Sequence, residues 1–109
     1  MNVAILMSKS FAKFFNALPK TDPLRYELTG VLLEIKNDPM NNIRIEKNKW
    51  PKTYEREIRL TNLLKCNLSK SRRLVYTIFT SPSKTEIVLL EFFPNHKKYD
   101  KRFGYKGKG

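Results

Sequence analysis

Residues 63–93, LLKCNLSKSRRLVYTIFTSPSKTEIVLLEFF, decide the fold. Their first run, LLKCNL (63–68), alternates: Leu64, Cys66 and Leu68 fall on one side, Lys65 and Asn67 on the other, as a strand with one dry and one wet face requires. RRLVYTIF (72–79) and EIVLLEFF (86–93) are rich in β-branched and aromatic residues, the composition of strands. The turns between them, at Ser69 to Ser71 and at SPSK (81–84), are too short for the crossover that parallel neighbours need. The three runs therefore predict an antiparallel meander.

Toward the N-terminus, Val3 to Met7 forms a short apolar strand candidate. Ser8 or Ser10 can then cap a helix whose apolar positions Phe11, Phe14, Phe15 and Leu18 recur at helical spacing until Pro19 stops it. A second start follows at TDP (21–23), with Thr21 or Asp22 as cap and Pro23 in the first turn. Leu24, Leu28, Val31, Leu32 and Ile35 carry that helix to the break at NDP (37–39), despite Gly30 in its interior, which costs about 1 kcal/mol relative to Ala. From residue 40 to 57 the chain turns polar and basic around Pro51 and reads as a loop with a short extended piece. The predicted architecture is α+β: two N-terminal helices packed on one face of a mainly antiparallel four-stranded sheet, in one domain spanning residues 1–109. Residues 106–109 read as a frayed basic tail. On this reading the second sheet face, carrying Lys65 and Asn67, stays partly open as a basic platform.

Charge narrows the functions. Among 109 residues, 22 Lys and Arg stand against 10 Asp and Glu, a net +12 that attracts polyanions. Residues 1–54 contribute +4 and residues 55–109 contribute +8, so the binding surface is expected in the C-terminal half. The five-residue apolar run at Val3 to Met7 is too short for a signal-peptide core or a membrane span, which leads to an expected cytoplasmic location without membrane attachment. One Cys and one His make neither a disulfide nor a protein-only zinc site, and no cofactor motif is present, so neither metal nor cofactor is expected. Cys66, alternating with Leu64 and Leu68, reads as core. A two-metal hydrolase would need several clustered carboxylates. RNA cleavage needs none, because the 2′-hydroxyl can attack its own neighbouring phosphate while Lys, Arg, Tyr or His groups position it, move protons and stabilise charge.

SRRLVYTIF followed by EIVLLEFFPNHKKY resembles the signature of the RelE/YoeB superfamily, toxins of type II toxin-antitoxin systems that cut messenger RNA. Arg73 stands directly before the apolar-Val-Tyr strand Leu74, Val75, Tyr76, and the last strand ends in the cluster His96, Lys97, Lys98 with Tyr99 beside it. The resemblance implies a metal-independent endoribonuclease that inhibits translation, cleaving messenger RNA on the ribosome and neutralised by a small antitoxin protein. It implies Lys65, Arg73, His96 and Tyr99 as catalytic residues: Arg73 the main stabiliser of the scissile phosphate, Lys65 its electrostatic assistant, His96 or Tyr99 the proton-transfer group. Asn67 departs from the pattern, standing where the family has a second basic residue. Arg72 and Tyr105 are secondary candidates.

Lys47, Lys49 and Lys52 around Trp50, together with Lys97, Lys98 and Arg102, are expected to bind RNA backbone, with Trp50 either a stacking ring or a core anchor of its loop. Glu91 reads as a strand-end carboxylate paired with a lysine. A second reading keeps the fold without the chemistry, as a noncatalytic nucleic-acid-binding or regulatory module. A third is a gyrase-inhibiting relative, although family members of that kind lack much of the basic, His and Tyr set that is retained here.

Overall fold

The computed structural model describes residues 2–104; the predicted tail at 106–109 and Tyr105 lie outside them. Strand β1 (Asn2–Met7) leads into α1 (Lys9–Ala17), with Ser8 as N-cap accepting a hydrogen bond from the Phe11 amide at 3.1 Å. Helix α2 (Pro23–Asn37) is capped by Asp22, which accepts from the Leu24 amide at 2.9 Å, and it runs unbroken through Gly30. Then come β2 (Ile43–Arg44), a 3-10 turn at Lys47–Lys49, and α3 (Lys52–Glu57). The meander follows as β3 (Leu64–Asn67), β4 (Arg73–Thr80) and β5 (Lys84–Phe93), and α4 (His96–Phe103) closes the described chain.

The sheet has five strands in the order β1-β5-β4-β3-β2, so the four-stranded expectation is corrected by one short edge strand. The extended piece expected between residues 40 and 57 pairs with β3, Ile43 opposite Lys65 and Arg44 opposite Leu64. The meander is antiparallel as predicted, and β1 adds in parallel to β5. Two pairs are too few for a sequence pattern to show, because alternation needs several residues to be visible.

The larger correction concerns the second face. Helices α1 and α2 cover one face over a core of Phe11, Ile35, Leu64, Leu74, Tyr76, Ile78, Ile87 and Leu89. The other face is not open. A second core of Ile45, Tyr54, Leu63, Val75, Leu90, Phe93, Tyr99 and Phe103 lies there, supplied in part by α3 and α4. Helices are therefore spread through the chain, and the sheet is packed on both sides. Helix α3 replaces part of the predicted loop, and α4, for which no helix was expected, carries the basic cluster that follows the last strand.

Helix α4 had a readable signature. Asn95 caps it by accepting from the Lys98 amide at 2.9 Å, Lys101 and Arg102 occupy its last turn, and Gly104 ends it in the left-handed region at φ 73°. Its two buried residues, Tyr99 and Phe103, stand at i and i+4. Helix α3 offers less, a six-residue segment with Tyr54 as its buried residue.

Candidate functional site

Pairing between β3 and β4 sets the site. Lys65 lies opposite Val75 and Asn67 opposite Arg73, so Lys65 and Arg73 are diagonal neighbours on the face toward α4. Adjacent Arg72 points elsewhere: it hydrogen-bonds Ser69 and pairs with Glu27 of α2 at 3.6 Å. Arg73 is thus the strand arginine presented on the site face. Asn67 is exposed and shares that face.

Tyr99 comes up from α4 between these groups, 1% exposed. Phe103 stacks on its ring at 4.4 Å and Phe93 meets it edge-on at 5.3 Å. The Arg73 guanidinium carbon lies 4.6 Å from the ring centroid and Lys65 Nζ 5.0 Å from it, both at cation–π distance. The ring gives the two cations a shared negative face, which offsets part of their mutual repulsion. The Lys65 ammonium is held below its usual pKa by partial burial and by the Arg73 charge, with Asp100 pulling the other way.

Asp100 was not among the residues singled out by sequence. It stands one residue after Tyr99, its charge reaches Lys65, and its Oδ2 lies 3.5 Å from His96 Nδ1, one helical turn away. The i, i+4 spacing of His96 and Asp100 was the available signal, but without α4 it carried no weight. Lys65 and Arg73 therefore both meet the Tyr99 ring, while His96 pairs with Asp100, whose charge acts on Lys65.

A groove of about 290 Å³ opens beside this cluster, lined by Ile43, Arg44, Lys49, Lys65 and Tyr99 among others. It adds Arg44 to the cations expected here. Trp50 is half-buried against the second core and donates from Nε1 to the Ile45 carbonyl at 2.8 Å, so it anchors the 3-10 turn and fixes where Lys49 stands. Lys47 and Lys52 are exposed at either end of that segment.

Residues of α4 divide between two flanks. Exposed Lys97 and Lys98 lie in its first turn. Lys98, Lys101 and Arg102 line a second groove, of about 680 Å³, together with Thr53 of α3. Arg102 is not an open charge: Nε donates to Glu91 Oε1 and Nη2 to Glu91 Oε2, each at 2.9 Å. Glu91 also accepts from the Tyr54 hydroxyl at 2.6 Å, so its partners are an arginine and a tyrosine in place of the lysine expected. Cys66 packs against the first core, and burial pushes its thiol pKa up. Among the described residues no helix is long and apolar enough to cross a membrane.

No protein-family model matches the sequence, and no curated protein matches it. Solved structures that resemble it include E. coli toxin RelE carrying two arginine-to-alanine substitutions, in the free state. That comparison has a TM-score of 0.55 and 22% identity over 95% of this chain and 96% of that one. The same mutant in complex with an antitoxin RelBc peptide gives a TM-score of 0.54 and 22% identity over 93% and 94% of the two chains. At this identity the likeness establishes the fold: the chain has the RelE-like fold that the Arg73 and Tyr99 segments led one to expect.

Proposed function

We propose that this protein is a RelE-like toxin: a metal-independent endoribonuclease that cleaves messenger RNA on the ribosome, in the cytoplasm, and is held in check by a small antitoxin protein. The observation that carries the reading is the convergence of Lys65 and Arg73 on the buried Tyr99 ring, beside Asp100 and His96 and at the mouth of a cation-lined groove. The net charge of +12 and the RelE-like fold support it, and the antitoxin peptide bound to the RelE neighbour supports the proposed partner.

In this reading an RNA strand lies along the groove with its scissile phosphate over Arg73 and Lys65. The 2′-hydroxyl attacks the adjacent phosphorus, the 5′-oxygen leaves, and the products are a 2′,3′-cyclic phosphate and a 5′-hydroxyl end. Negative charge grows on the phosphoryl oxygens between the two states, where the planar guanidinium of Arg73 and the ammonium of Lys65 stabilise it. His96 is the proton-transfer group, since its imidazole is exposed and such a ring can both accept and donate a proton, whereas the Tyr99 hydroxyl is buried. Asp100 orients the imidazole through Nδ1. Tyr99 contributes its ring, as the platform on which the cations are set.

Lys47, Lys49, Lys52, Lys97 and Lys98, with Arg44, hold the RNA backbone. Each phosphate contact releases counterions, so neutralising Lys47, Lys49 and Lys52 together is expected to lower the logarithmic salt slope of binding by about 2, at about 0.7 per contact to a single strand. Single-turnover cleavage at saturating RNA is expected to stay near the parent rate.

The deciding experiment incubates purified protein with ribosomes programmed with message and maps the cut ends and their chemistry. New ends bearing 2′,3′-cyclic phosphate and 5′-hydroxyl groups, lost in His96→Ala, support the reading. If the protein binds RNA but yields no new ends, it is instead a noncatalytic binding module, the reading favoured by exposed Asn67 opposite Arg73 where a second cation belongs.

A further inference from the structure

Glu91 ties three elements of the second face together. It sits on β5 opposite Val75, accepts from Tyr54 of α3, and receives both donors of the Arg102 fork from α4. Its place there depends on an irregularity in the strand. Register passes from Val75 opposite Glu91 to Tyr76 opposite Leu89, leaving Leu90 as an extra residue. Strict alternation would send Leu90 and Glu91 to opposite faces. The bulge puts both on the α3/α4 side, where Leu90 enters the core and Glu91 reaches the helix.

Helix α4 has eight residues, too few to be stable alone in water, so its position is set by what holds it. Tyr99 and Phe103 supply packing, which is adaptable about the helix axis. The bidentate ion pair three residues beyond Tyr99 supplies direction, fixing rotation and advance together. Burial and the bond to Glu91 push the Tyr54 phenol pKa up, keeping it a donor, and the same carboxylate pushes the already high Arg102 pKa higher. The side chains are 24% exposed for Glu91 and 39% for Arg102, so solvent screens the pair only in part.

We propose that Glu91, clasped by Arg102 and Tyr54, is a positioning residue of the site, fastening α4 so that the Tyr99 ring stays seated against Lys65 and Arg73. The proposal rests on the cleavage reading given above, which assigns Lys65 and Arg73 their work, and it gives Arg102 a role other than contact with RNA. Arg102 acts through Glu91, and Glu91 through α4; neither touches the reacting atoms.

The test uses the full chain carrying Arg102→Met, which keeps the side-chain stem, and Glu91→Gln, which keeps the shape. Three readouts are taken: amide exchange of α4, the NMR position of the Arg73 Nε proton, which feels the Tyr99 ring current, and single-turnover cleavage beside RNA affinity. In Arg102→Met, exchange at amides 99–103 is expected to quicken about ten- to hundredfold, the factor for losing a charge-assisted hydrogen bond. The Arg73 proton is expected to move toward its free-arginine position, and cleavage to slow by about tenfold from misplacement alone. RNA affinity and its salt slope stay as in the parent. Glu91→Gln follows the same direction, the double variant is no worse than the more affected single one, and Arg102→Lys recovers part of the loss.

The proposal is overturned if Arg102→Met flattens the salt slope while α4 exchange and the Arg73 resonance stay put, because Arg102 is then a phosphate contact. It is equally overturned if exchange quickens and the Arg73 proton does not move, because the clasp is then structural only. Should the parent protein cut no RNA on ribosomes, the cleavage reading falls, and the exchange and Arg73 readouts decide the clasp by themselves.

Discussion

Toward α1 and α2 the strands present Leu64, Leu74, Tyr76, Ile78, Ile87 and Leu89; toward α3 and α4 the same strands present Val75, Leu90 and Phe93, but also Lys65, Arg73 and Glu91. The first face is dry. Its one phenol, Tyr76, is satisfied locally, donating to the Pro39 carbonyl at 2.7 Å and accepting from Asn42 at 3.0 Å. The second face is built from aromatic rings with cations set against them. One sheet thus serves two purposes because alternation gives each strand two independent residue sets. Charges cluster where the covering helices are short, six and eight residues in α3 and α4 against nine and fifteen in α1 and α2. Narrow cover leaves a core thick enough to fix Tyr99 and thin enough to leave Lys65 and Arg73 at the surface.

This comparison is broken most directly by a cavity on the dry face. Phe11 is 1% exposed and touches Phe14 and Phe15 at ring distances of 5.7 and 6.1 Å. Phe11→Ala is expected to cost about 3–5 kcal/mol of stability, measured by urea unfolding. Cleavage per folded molecule, read in a single turnover at low temperature, should be that of the parent. A matching loss of rate would mean that the two faces are not independent.

The opposite signature belongs to Arg73. Removing one preorganised stabiliser of developing charge should raise the cleavage barrier by about 2–4 kcal/mol, with Arg73→Lys recovering only part because it lacks the fork. Stability should change by less than about 1 kcal/mol, since the guanidinium is at the surface of the ring cluster. Parent-like cleavage by Arg73→Ala at saturating RNA would remove β4 from the site.

What could be read from sequence follows the same division. The dry face was legible: Phe11, Leu28, Ile35, Leu64 and Ile87 recur at helical or strand periods, and the caps Ser8 and Asp22 sit where the motifs put them. Lys65 and Arg73 could be placed on strands, and the structure brings them to one ring. The second face was not legible, because its core is assembled from scattered single residues: Ile45 from a loop, Tyr54 from α3, Tyr99 and Phe103 from α4. No one segment carries enough of them to show a period. Arg102 looked like one cation among many because its partner lies 11 positions back on another element. Asp100 went unnoticed since a single acid within a basic run reads as solvated surface until the helix brings it to His96.

The smallest expected effect sharpens the comparison best, because it sets stability against function at one residue. Lys65 is held below its ordinary pKa by partial burial and by Arg73, which means that its charged form is disfavoured by folding. The unfolded chain, with the ordinary pKa of 10.5, binds the proton more tightly across the interval between the two values. Stability attributable to this group is therefore lowest at neutral pH and rises as pH climbs through that alkaline interval. Lys65→Met keeps the stem that packs beside Tyr99 and removes the charge. At pH 7 it should stabilise the fold slightly, by less than about 1 kcal/mol, while cleavage falls. The stabilisation should shrink as pH rises and vanish above 10.5, where the parent lysine is neutral in both states; urea unfolding of the two proteins at matched pH measures it. A destabilised Lys65→Met at pH 7 would show that the contact between Lys65 and the Tyr99 ring outweighs burial and repulsion, and that this cation belongs to the core of the second face as much as to its chemistry.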